Sequence, residues 1–173
     1  MLTFVVGIYK SGTSLITSQI EEMGVPTVVE DFRSESNVTG VKYTYNIRES
    51  YEVNCLNNDI IYSTNQTEMY FKTENMPDEI EEIYKQRIRD FYKKIGNDGV
   101  IKDPRFIGTL AYWIKEIPEG TKYKIVFVFR DDIEDISNSF KKDKWFVGKV
   151  DESVGYEKTI EQLINNLKTT YCS

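Results

Sequence analysis

The sequence predicts an α/β domain of three layers, α/β/α, with a central parallel sheet and helices on both faces. Three observations carry this. Short apolar runs of strand length alternate with longer stretches of helical period. The first run, Leu2-Thr3-Phe4-Val5-Val6, is nearly unbroken, as in a strand buried on both faces. Three of the runs lead into segments rich in charge and turn-forming residues, and open sheets of this kind bind ligands at the C-terminal ends of their strands.

The elements follow in order. Residues 7–12 read as a turn between Gly7 and Gly12. Leu15, Ile16, Ile20 and Met23 have helical spacing, and Gly24 with Pro26 ends that helix. Thr27-Val28-Val29 predicts a second short strand, and the polar residues 31–47 a long loop. A weak helical pattern covers residues 49–61, and residues 62–77 have no clear period. After Pro77, the residues Ile80, Ile83, Tyr84, Ile88, Phe91, Tyr92 and Ile95 form the best helical stripe of the chain, closed by Gly96. Gly99-Val100-Ile101 predicts a third strand. Phe106, Ile107, Leu110, Ala111, Ile114 and Ile117 predict a helix closed by Pro118 and Gly120. Residues 124–129 give the strongest strand pattern, with Arg130 at its end. A helix over 133–144 follows, and a last helix carries Tyr156, Ile160, Leu163, Ile164 and Leu167.

A length of 173 residues fits a single domain over residues 1–173. The formal net charge of -6 argues against a globally basic nucleic-acid binder, but leaves room for a local anion site. Histidine is absent, which removes every histidine-dependent device, from a Ser–His pair to a histidine general base. Cys55 and Cys172 make neither a disulfide framework nor a zinc cluster. No apolar run approaches the ~18 residues of a membrane span. The apolar start lacks the basic flank of a signal peptide, so a cytoplasmic location is expected.

The chemistry gathers at three strand ends: Gly7-Ile8-Tyr9-Lys10-Ser11-Gly12-Thr13-Ser14, Lys102-Asp103-Pro104-Arg105 and Arg130-Asp131-Asp132. The first is a glycine-flanked strand-to-helix turn. Its backbone N–H groups at a helix N-terminus suit a phosphate. It departs from a Walker A loop, because Thr13 follows Gly12 and the lysine lies inside the loop.

The segment Phe4-Val5-Val6-Gly7-Ile8-Tyr9-Lys10-Ser11-Gly12-Thr13-Ser14-Leu15 resembles the 5'-phosphosulfate loop of sulfotransferases that use 3'-phosphoadenosine 5'-phosphosulfate (PAPS), which reads roughly G-x-x-[KR]-S-G-[TS]-[TS]-L. Residues from Ser36-Asn37-Val38-Thr39-Gly40 through Glu49 to Asn57 resemble the N-P-x-G-x-x-E segment of small bacterial-type members. Here the spacer is longer and the proline is missing. Val100-Ile101-Lys102-Asp103-Pro104-Arg105-Phe106, with Trp113 after it, is similar to their K-D-P-R segment. Val126-Phe127-Val128-Phe129-Arg130-Asp131 resembles the start of the 3'-phosphate motif. That motif usually continues with proline and places a serine eight residues after the arginine. Asp132 and Asn138 stand there instead, with Ser137 and Ser139 on either side, and a one-residue slip favours Ser139.

The resemblance implies a P-loop NTPase-like sulfotransferase fold and PAPS as cosubstrate, leaving adenosine 3',5'-bisphosphate as product, with no metal needed. It implies that Lys10 stabilises charge on the bridging oxygen and that Ser11, Gly12, Thr13 and Ser14 hold the 5'-phosphate. Arg130 and Ser139 then hold the 3'-phosphate. Lys102 and Arg105 add positive charge near the sulfuryl group or orient the loop, or are a salt-bridged pair at the strand end. The base is a carboxylate, Glu49 ahead of Asp31 and Glu30, or each of these is simply a surface acid. Lys141, Lys142, Lys144 and Lys149 are a solvated helix end or a guide for an anionic acceptor. Trp145 and Phe146 belong to the core or stack on a base or sugar. The expected partner is a small-molecule or carbohydrate acceptor. Two rival functions remain open: a nucleoside or nucleotide kinase on the same architecture, and a nucleotide-binding relative without turnover.

Overall fold

A computed structural model describes residues 1–28, 48–64, 78–143, 146, 149–150 and 153–171. The described elements run β1 (Leu2–Val6), α1 (Thr13–Glu22), α2 (Tyr51–Tyr62), α3 (Asp78–Ile95), β2 (Gly99–Lys102), α4 (Phe106–Lys115), β3 (Tyr123–Phe127), α5 (Ile133–Lys142) and α6 (Tyr156–Tyr171). The molecule is α/β, as the alternation of periods predicts. Its three described strands are parallel in the order β2-β1-β3, so the most apolar strand lies in the centre and is buried along its whole length.

Register sorts the side chains by face. Phe4 pairs with Ile101 and Ile125, whereas Val5 pairs with Lys102 and Val126. Leu2, Phe4, Val6 and Ile101 join a core with residues of α2, α3 and α4. Within it Trp113 meets Phe91, Tyr92 and Phe106 edge to face, at 5.3, 5.9 and 5.6 Å between ring centroids. Each such contact contributes ~0.5–1.5 kcal/mol beyond the area it buries. A second core joins Ile8 to Ile136, Phe140, Phe146, Ile160 and Leu163. Phe146 is therefore a packing residue, not a stacking platform for a ligand. Trp145 lies outside the described residues.

Three elements depart from the sequence expectation. α1 buries Thr13 and Thr17, while Leu15 and Met23 of the expected apolar stripe are 63% and 82% exposed. Tertiary packing has chosen a small polar face, on which the Thr17 hydroxyl returns a 2.8 Å hydrogen bond to the Thr13 carbonyl. β3, the strongest strand by sequence, is a partly exposed outer strand among the described residues, and ends two residues earlier than expected. The second strand reduces to a bridge: Thr27 pairs with Val100, and the N–H of Val28 donates to the Val100 carbonyl at 2.8 Å. Val29 and the expected loop over 31–47 lie outside the described residues, as does most of 62–77.

The weak pattern over 49–61 is a firm helix. Ser50 caps α2 by accepting from the N–H of Val53 at 3.2 Å. The long stripe of α3 holds, with Ile88, Phe91 and Tyr92 inside, although Ile83 is exposed. No described helix is long and apolar enough to cross a membrane.

Candidate active site

The loop that follows β1 is shaped by two glycines. A Cβ on Gly7 would lie 2.6 Å from the Val128 carbonyl oxygen, 2.7 Å from Ser11 Oγ and 2.9 Å from Thr13 Cγ2. Only glycine lets the loop pass this close to the chain leaving β3, where the N–H of Val128 donates to the Val6 carbonyl at 2.8 Å. Gly12, at φ 97, turns the chain into α1. No described side chain caps that helix, so its N-terminal N–H groups face the loop rather than a capping oxygen. Lys10 also adopts a left-handed φ, of 64. Ser11 is buried, and its hydroxyl has no hydrogen-bond partner among the described residues. A buried unpaired hydroxyl costs ~1–3 kcal/mol, and this one lies against Gly7, 2.7 Å from where a Cβ on that residue would stand.

The end of β2 supplies the second part. Lys102 is in register with Val5, so it lies on the face of the sheet opposite Phe4 and Ile101. Its Nζ donates to Ser14 Oγ at 3.2 Å and to Glu49 Oε1 at 2.5 Å. Asn54 Nδ2 donates to the other carboxylate oxygen of Glu49 at 3.2 Å. Lys102 is 2% exposed and the Glu49 side chain 11%. Burial pushes the Glu49 carboxyl above its ordinary value, outweighing the opposite pull of the Lys102 charge. Three residues proposed from sequence, Ser14, Glu49 and Lys102, therefore meet in one buried polar group.

Arg105 is not beside them in the same role. It bonds Asp103 through both its backbone N–H, at 2.7 Å, and its guanidinium, at 3.1 and 3.3 Å, and it donates to Asn58 Oδ1 at 2.6 Å. Its guanidinium also lies 5.8 Å from the Tyr9 ring centroid. Arg105 thus ties the end of β2 to α2 and to the loop. Behind it, Asn57 Oδ1 accepts from the Thr109 hydroxyl and from Trp113 Nε1, both at 2.8 Å. Sequence reasoning gave no role to the asparagines of α2, although Asn57 closes the segment matched by resemblance. Their spacing at 54, 57 and 58 on an apolar helix face was the available signal.

The third strand end carries Arg130, which is 41% exposed. Its guanidinium pairs with Asp135 and donates to the Lys10 carbonyl at 3.4 Å. Lys10 itself points to Asp143, 2.7 Å away. Of the three hydroxyl or amide candidates in α5, Ser137 is fully buried with an Oγ that has no partner among the described residues. Asn138 is exposed and Ser139 half-buried. Asp31 and Glu30 lie outside the described residues. Among the described residues no group of three or more His, Cys, Asp and Glu is placed to hold a metal. No protein-family model, curated protein or solved structure matches the chain.

Proposed function

We propose that the chain is a sulfotransferase that moves a sulfuryl group from PAPS to a hydroxyl or amine of a small-molecule or carbohydrate acceptor. The observation that carries this is the loop at the end of the central strand. It joins an uncapped helix start and the unpartnered buried Ser11 hydroxyl to a lysine within the loop, while Ser14 touches a second, buried lysine. The P-loop-like three-layer sulfotransferase fold and an intracellular setting belong to the same proposal.

In this mechanism the acceptor oxygen attacks sulfur in line as the S–O bond to the 5'-phosphate breaks. The electron pair stays on the phosphate, and the acceptor proton passes to a carboxylate. Positioning and neutralisation of charge do the work, as in phosphoryl transfer. Lys10 neutralises the bridging oxygen. Ser11, Gly12, Thr13 and Ser14 hold the 5'-phosphate, and Arg130 with a serine of α5 holds the 3'-phosphate. Glu49 is the base: burial raises its affinity for a proton, and Lys102 holds it in place. The test is transfer of labelled sulfate from PAPS to a panel of hydroxyl and amine acceptors. Transfer that is lost in Lys10→Met supports the proposal. Phosphoryl transfer from magnesium-ATP without any sulfate transfer would replace it with a kinase.

A further inference from the structure

Both cations assigned above to the nucleotide are held by carboxylates of one element. Lys10 Nζ donates to Asp143 Oδ2 at 2.7 Å and lies 5.9 Å from the centroid of the Phe146 ring. Asp143 is the C-cap of α5, and its N–H is bonded to the carbonyls of Ser139 and Phe140. Phe140 and Phe146 stack at 4.0 Å and 6° within the second core, and the Phe146 N–H donates to the Asp143 carbonyl at 3.0 Å. At the other end of the same helix, Asp135 pairs with Arg130. Its own N–H is fixed by Asp132 Oδ1 at 2.8 Å. The Arg130 contact to the Lys10 carbonyl links the two pairs.

We propose, on the strength of the function above, that α5 is an internal counter-anion. Asp143 and Asp135 occupy Lys10 and Arg130 in the ligand-free protein, and the two phosphates of the nucleotide displace one carboxylate each. In this latch the Lys10 amine rests on Asp143 and exchanges to the nucleotide phosphate when that anion competes. Both pairs are about two-fifths exposed. Exposed ion pairs contribute little, so the latch opens readily. Asp135 and Asp143 act through the two cations and are positioning residues.

The experiment measures dissociation constants of adenosine 3',5'-bisphosphate and adenosine 5'-phosphate for wild type, Asp143→Asn, Asp135→Asn and Glu134→Gln. Glu134→Gln makes the same charge change on the exposed side of the same helix and serves as control. Asp143→Asn should tighten both nucleotides by about three-fold relative to that control. Asp135→Asn should tighten only the 3',5'-bisphosphate, by a similar factor. Equal shifts in all three variants would overturn the latch in favour of net charge, and weaker binding in Asp143→Asn would overturn it in favour of a supporting role. A second measurement needs no nucleotide: acylation of the Lys10 amine, read by mass spectrometry on the ligand-free protein. It should be several-fold faster in Asp143→Asn than in Glu134→Gln, and equal rates contradict the pairing. If wild type binds neither nucleotide, the sulfotransferase function and the displacement fail together. Binding by wild type without the variant shifts overturns the latch alone.

Discussion

Glu49 is the base in the proposed mechanism. It is buried, bonded on both oxygens, and raised above its ordinary value because desolvation exceeds the attraction of Lys102. A carboxyl whose folded-state value is raised binds protons more tightly in the native state than in the unfolded chain. Stability from this group is therefore greatest at low pH and falls as pH rises through the window between the ordinary value near 4.5 and the raised one. Denaturant titrations of wild type and Glu49→Gln across pH 4 to 8 should show a wild-type minus variant difference that declines through that window. A difference that grows with pH would mean the ion pair governs instead. In turnover, Glu49→Gln should cost ~10²–10⁴-fold with an alkyl-alcohol acceptor and leave nucleotide affinity nearly unchanged. A dead Asp31→Asn or Glu30→Gln beside an active Glu49→Gln would move the base to the segment after Thr27. Lys10→Met should lower turnover by ~10²–10³-fold, since loss of one stabiliser of developing charge typically costs that much. Arg130→Ala should weaken the 3',5'-bisphosphate by ~10–100-fold and adenosine 5'-phosphate far less. At this scale the absence of histidine left Asp, Glu, Lys, Tyr or Cys for any acid–base chemistry. The sequence could not disclose the partners of these groups. Asp143 is 133 positions from Lys10, and no local pattern marks that pairing.

Among the elements, the strand ends and the apolar stripes of α3, α4 and α6 were legible, whereas the buried faces of α1 and α2 were not. The loop from Gly7 to Ser14 declares itself by its composition, and the structure gives the physical reason for Gly7 in the Val128 carbonyl 2.6 Å from its absent Cβ. Gly7→Ala should destabilise the fold by about 1–3 kcal/mol, the usual cost of forcing atoms into a packed site. Nucleotide affinity should fall with it, because the loop must move off Val128. Thermal unfolding with and without adenosine 5'-phosphate measures both. An unchanged melting temperature would show that the loop has room to spare. α1 was misjudged because Leu15, Ile16, Ile20 and Met23 fit a helical period, yet the sheet accepts only Thr13 and Thr17 close to the loop. Periodicity reports which residues share a face, not which face the fold uses. α2 was underrated for the opposite reason. Asn54, Asn57 and Asn58 dilute its apolar pattern, but they are bonded to Glu49, Thr109, Trp113 and Arg105. Trp113→Phe removes one donor to Asn57 and should cost about 1–3 kcal/mol, measured by denaturant unfolding. A neutral substitution would show that Thr109 alone satisfies Asn57.

For the molecule as a whole, the parallel sheet followed from the alternation of strand and helix periods, and the order β2-β1-β3 puts the central strand's loop between the ends of its two neighbours. That placement brings the Lys10 loop, Lys102 and Arg130 to one edge of the sheet. In the proposed function, that co-location serves a ligand with two separated phosphates. The central claim is that these strand ends form one site for a 3',5'-bisphosphorylated nucleotide. The most direct measurement is thermal unfolding with adenosine 3',5'-bisphosphate in the presence of a chelator, beside magnesium-ATP. At ~100 times its dissociation constant the bisphosphate adds ~2.7 kcal/mol of stability by linkage. The account predicts that shift without metal, a smaller one with adenosine 5'-phosphate, and its reduction in Arg130→Ala. No shift at millimolar bisphosphate, alongside a clear one with magnesium-ATP, would contradict it.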